Sequence, residues 1–177
     1  MFKTLNFRDK KSAIAWMLSL ALALVLIDYY AGPVNTSKGW QKEVIWNQLE
    51  DISALYFKPQ EGLYIVIKKT EKGEKTPKTT ILLYNPLNSE KKQLAASPKN
   101  LSLKKLINTR NIVLADQSQV ILEKSDRQGR LILQRQNEQD IIVRNLHNPS
   151  ILVKGNNNVL YLAEQGRDRI LKISHEK

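Results

Sequence analysis

The chain has 177 residues, 42% of them apolar, so it can bury a core and is not wholly disordered. Lysine and arginine number 28 against 17 acidic residues, a formal net charge of +11. There is no cysteine and only two histidines, His147 and His175. This excludes disulfide scaffolds, cysteine-ligated metals and clusters and a cysteine nucleophile, and leaves almost no basis for histidine-based metal chemistry.

Residues 1–11 carry Lys3, Arg8, Lys10 and Lys11 against one acid, Asp9. Ser12 to Ile27 then reads SAIAWMLSLALALVLI with no charge, followed by Asp28, Tyr29, Tyr30, Ala31, Gly32 and Pro33. Twenty residues suffice for a helix to cross the hydrocarbon core, which is about 30 Å thick. We therefore expect a single transmembrane helix over 12–31, with Leu20 and Leu24 in its apolar body and Trp16, Tyr29 and Tyr30 at the interfaces. Ala13, Ala15, Ser19, Ala21 and Ala23 would allow close packing on another helix. Pro33 stops the helix. Two other readings stay open. One is a cleaved secretory signal, although a bulky Tyr sits where a small residue is wanted; the other is a buried core helix. The basic start places residues 1–11 in the cytoplasm and the rest outside, in the periplasm of a bacterial inner membrane.

Residues 32–50 read as a linker followed by a short amphipathic helix, Trp40–Leu49, with Trp40, Val44, Ile45 and Leu49 at helical spacing and Trp46 beside them. Trp40 and Trp46 would either touch a partner or headgroups, or cap the next domain. From 51 to 177 the period becomes two. Short apolar runs recur at Ile52–Phe57, Leu63–Ile67, Thr79–Tyr84, Asn111–Ala115, Val120–Glu123, Leu131–Gln134, Ile141–Val143, Ile151–Lys154, Val159–Ala163 and Ile170–Ile173, separated by turn-forming clusters such as Asp126–Gly129 and Gly155–Asn158. This pattern predicts an antiparallel β domain. Ser97–Asn108 breaks it and reads as a helical turn or loop.

A three-strand unit repeats: ISALYF, GLYIVI, TTILLY; then NIVLA, QVILE, RLILQ; then SILVK, NVLYLA, RILKI. The middle strands of the last two copies start 39 residues apart, at Val120 and Val159, near the repeat of a propeller blade, about 40–45 residues. Within NVLYLAEQGRDRILKI, the residues Leu160, Tyr161, Ala163, Gly166, Arg169 and Ile170 fall where blades of NHL-type six-bladed β-propellers carry their signature. Glu164 stands where those blades usually have Asp, and Arg167-Asp168 replaces their Asn positions. The chain thus resembles that family over about three blades. The resemblance implies a mainly β fold, a partial propeller behind one N-terminal helix, with a small β-sandwich or barrel as the alternative. Three blades cannot close a ring, which implies sheet edges covered by a partner or by self-association.

No motif for nucleophilic, metal or nucleotide chemistry occurs, and the acids Asp51, Glu61, Asp116, Glu123, Asp126, Glu138, Asp140 and Glu164 are scattered through turns beside bases. No catalytic residue, metal or cofactor is expected. Beyond residue 11 there remain 24 basic and 16 acidic residues. That surplus suits an acidic soluble partner or anionic headgroups, with Trp40, Trp46, Arg167 and Arg169 as candidate contacts. Nucleic acid is not expected. The sequence reads as a non-catalytic, membrane-anchored accessory or scaffold subunit of a photosynthetic, respiratory or oxidising membrane complex. Two alternatives remain: an inner-membrane component of a secretion or pilus machine, to whose periplasmic linker proteins the second repeat is similar, and an anchored propeller hydrolase.

Overall fold

The structure is a computed structural model that describes Ser19 and residues 33–74, 76–95 and 110–176. The chain divides into two units, Met1–Pro33 and Val34–Lys177. The expected cytoplasmic tail and, Ser19 apart, the span over 12–31, with Trp16, Leu20, Leu24, Tyr29 and Tyr30, lie outside the described residues, as does Ser97–Asn108. No helix among the described residues is long and apolar enough to cross a membrane.

The described residues of the second unit form thirteen strands in three antiparallel sheets. Sheet C is a meander of β3 (Ile52–Lys58), β4 (Gly62–Lys69), β5 (Lys78–Asn85) and β6 (Glu90–Leu94). Sheet A takes β7 (Asn111–Val113), β8 (Gln119–Ser125), β9 (Gln128–Arg135) and β10 (Glu138–His147), with the two-residue β1 (Asn35–Thr36) added beside β10. Sheet B is β11 (Pro149–Lys154), β12 (Leu160–Glu164) and β13 (Arg169–His175), completed by β2 (Trp40–Trp46) from the other end of the sequence. The three strand units of the sequence fall as β3–β5, β7–β9 and β11–β13.

Sheet B is the middle layer, and its alternation shows it. Leu160, Leu162, Leu171 and Ile173 join Val120, Leu122, Leu131 and Leu133 of sheet A in one apolar cluster. Tyr161, Ala163, Ile170 and Ile45, on the opposite face, join Leu55, Leu63, Ile65, Leu82 and Tyr84 of sheet C in a second. Successive side chains of a strand point to opposite faces, so near-continuous apolar runs such as LYLA in β12 are what a sheet covered on both sides requires. In the second cluster Phe57 stacks on Tyr161, with centroids 5.6 Å apart.

Two expectations are corrected here. The propeller resemblance fails: the described residues form three open antiparallel sheets, the middle one sharing a core with each of the other two. The mainly β, antiparallel character holds. The helix expected over Trp40–Leu49 is instead strand β2, ending at Trp46. Its buried Trp40 and Ile45 stand five residues apart because they face the two different cores, Trp40 the one shared with sheet A and Ile45 the one shared with sheet C. β1 comes from the stretch read as a linker and β2 from the stretch read as an amphipathic helix.

The two ends of this unit are stitched together. In β2 and β13, Trp40 lies opposite His175, and Glu176 N–H donates to the Gly39 carbonyl at 2.7 Å. The His175 ring stands edge-on to Trp40 at 5.1 Å, so this histidine belongs to a strand and not to a frayed tail.

Candidate functional site: a basic groove on sheet A

Strand β10 is irregular where it passes β9. Ile141 lies opposite Ile132, Val143 opposite Leu131 and Leu146 opposite Gly129, with register shifts at both steps. Arg144 and Asn145 therefore bulge out of the β9 ladder; Arg144 pairs across to Asn35 on β1, and Asn145 adopts a left-handed φ of 58°. Bulges of this kind bend a strand and re-aim its side chains. Here they open a groove of about 590 Å³ beside Gly129 and Arg130. A Cβ on Gly129 would lie 2.4 Å from the Pro149 ring and 2.7 Å from the Glu123 carbonyl oxygen, so that wall must remain glycine.

The groove is cationic. Arg110, Lys124, Arg130 and Arg144 line it, with one carboxylate, Glu123. Leu122 faces the apolar cluster shared with sheet B, so Glu123 and its cross-strand partner Arg130 stand on the opposite face of sheet A. Arg130 Nε donates to Glu123 Oε2 at 2.7 Å, and both side chains are about half exposed. Lys124 Nζ donates to Asn148 Oδ1 at 2.5 Å. Arg110 and Arg144 are exposed and make no ion pair among the described residues. Ile141 adds a partly buried apolar wall. Convergent guanidinium groups on a rigid sheet suit carboxylate or other oxyanion groups, which they bind in a bidentate fork.

The candidate contacts named from the sequence lie elsewhere. Arg167 and Arg169 flank Glu164, whose side chain is fully buried. Arg169 Nε donates at 2.6 Å, Arg167 Nη1 at 3.3 Å, and the His147 backbone N–H donates to the same carboxylate at 2.7 Å. Glu164 thereby ties β10 of sheet A to β12 and β13 of sheet B. The imidazole of His147 is held below its ordinary pKa, first by burial and then by Arg167, with Glu164 opposing. Lys42 of β2 is likewise pushed down, by burial and then by Arg169 and Arg167. Trp40 is 7% exposed and sits in the core between sheets A and B. Trp46 packs against the second core with Lys91 Nζ 5.4 Å from its ring centroid.

Sequence reasoning missed the groove because its four cations span 35 positions and meet only through sheet register. One signal was available: the Asp126–Gly129 turn sets Glu123 against Arg130. No group of three or more His, Asp or Glu among the described residues could hold a metal ion. No protein-family model, curated protein or solved structure matches this chain. The correction of the propeller resemblance thus rests on the three open sheets and on the comparisons.

Proposed function

We propose that the chain is a non-catalytic accessory subunit, anchored in a membrane by residues 12–31, whose β unit docks an acidic partner protein on the outer side. The observation that carries the docking is the groove on sheet A, with four cationic side chains against one carboxylate. Rigid strands hold these groups at fixed spacing, so complementary charge on a partner sets register and speeds encounter more than it adds affinity. The anchor reading rests on the basic start and uncharged run of the sequence.

The test is the particle size of the full chain after mild detergent extraction, compared with an R110E/R144E double variant. Both arginines are exposed, so the substitutions leave the cores untouched. Wild-type chain should travel in one large particle and the variant should leave it, more completely at low salt than at high. Co-migration of the variant with the same particle, or a wild-type chain that travels alone, would overturn the docking.

A further inference from the structure

The lone carboxylate of the groove calls for an explanation. Glu123 lines a groove whose other charged side chains are all positive, and it engages Arg130, which lies opposite the β10 bulge between Gly129 and Leu131. We infer that Glu123 is a built-in competitor for the partner's carboxylates, and that docking exchanges one carboxylate for another on Arg130. This rests on the docking reading above and names its ligand chemistry: side-chain carboxylates of an acidic peptide segment.

Three observations carry the exchange. Glu123 and Arg130 are directly opposed in the β8–β9 register, so their contact forms and breaks by side-chain rotation with no backbone movement. Their side chains are 47% and 49% exposed, so water and an incoming group reach both. Such an exposed pair is weak enough to be displaced. Arg110 and Arg144 line the same groove without an ion-pair partner among the described residues, so an incoming acidic segment gains their charge while Glu123 does not. Glu123 holds Arg130 in place across the β8–β9 ladder, which is preorganisation, and it penalises ligands too weak to displace it, which is selectivity.

The test uses the full chain in neutral detergent at low ionic strength and a fluorescein-labelled oligoglutamate peptide, read by anisotropy. Glu123→Gln should bind the probe about two- to fivefold tighter than wild type, the range of an exposed ion pair removed as competitor. Arg130→Gln should bind more weakly. The deciding measurement is the double variant. If Glu123 acts through Arg130, the gain from Glu123→Gln disappears in the Arg130→Gln background. A gain of the same size in both backgrounds would reduce Glu123 to a general charge effect and overturn the inference, as would no gain at all. Failure of both the wild-type chain and Glu123→Gln to bind the probe would bring down the docking reading itself, a separate result from either of these.

Discussion

Replacing Glu164 with alanine tests whether the layers of this fold are joined by charge as well as by apolar contact. The carboxylate has no exposed surface and receives three hydrogen bonds, from Arg169 at 2.6 Å, His147 N–H at 2.7 Å and Arg167 at 3.3 Å. Truncation leaves the His147 amide without its acceptor, worth about 1–3 kcal/mol, and leaves two guanidinium groups without their counter-charge. Removing one partner of a fully buried pair costs about 3–5 kcal/mol. Both arginines keep about a fifth of their side-chain surface in water, which places this case near the lower end, at about 3 kcal/mol. Glu164→Gln retains an oxygen for the His147 N–H and should cost about half as much. The assay is urea unfolding of the full chain in detergent, followed by tryptophan fluorescence, because Trp40 lies in the core that this contact closes. The midpoint should fall with an unchanged slope. A loss below about 1 kcal/mol for Glu164→Ala, or equal losses for the two variants, would refute the reasoning.

Further outcomes follow from two glycines, one histidine and two tyrosines. Gly62 has φ of 126°, and a Cβ there would lie 2.3 Å from the Tyr84 carbonyl oxygen; Gly62→Ala should cost about 2–4 kcal/mol in the same unfolding assay. Gly73→Ala, at φ 101° with nothing within 4 Å, should cost about 1 kcal/mol and isolates the dihedral contribution. His147 has its pKa lowered from 6.5, so between the two values the unfolded chain binds more protons; stability is full above about pH 6.5 and declines as pH falls toward the depressed folded value. A thermal-melt series at falling pH should show this decline in the wild type and lose it in His147→Gln. Tyr161 is raised to about 12 by burial and then by Tyr84 and Glu43, and Tyr64 to about 12 by burial and its bond to Glu61. Ultraviolet titration should find two phenols ionising near 12, and stability should fall as pH rises from 10 toward 12, because the unfolded chain gives up those protons first.

How far the fold was legible depended on what each strand packs against. β4, β5, β12 and β13 carry dense runs of Ile, Leu, Val and Tyr, and their alternation was readable because at least one face is sealed in a core. β6 (EKKQL) is an exposed, charged edge strand, and no apolar period marks it; its lysines are how such an edge resists further pairing. β10 was read as only Ile141–Val143, because the bulged Arg144 and Asn145 interrupt the alternation that runs on to Leu146. β2 was read as a helix because its partner, β13, lies about 130 residues away, and no local pattern reports a pairing at that range. The groove was hidden for the same reason. The Glu164 centre was half visible: Arg167 and Arg169 were singled out, but the sequence could not tell that they turn toward a buried carboxylate of their own chain and hold two sheets together.

The pairing of β2 with β13 has a consequence for how the chain comes to be folded. The layer that both cores share cannot be finished until β13 has left the ribosome, since its edge comes from residues 40–46 and its neighbour from residues 169–175. Sheet C can form early, as a run of hairpins between near neighbours in sequence. Its inner face, with Leu63, Ile65 and Tyr84, then waits for Ile151, Tyr161, Ala163 and Ile170, which are made much later. Long-range closure of this kind is slow, and a greasy face held open meanwhile is an invitation to aggregate. Chains cut short before Arg169 should therefore fail to complete the shared layer and should aggregate, which a solubility assay of truncated chains would read.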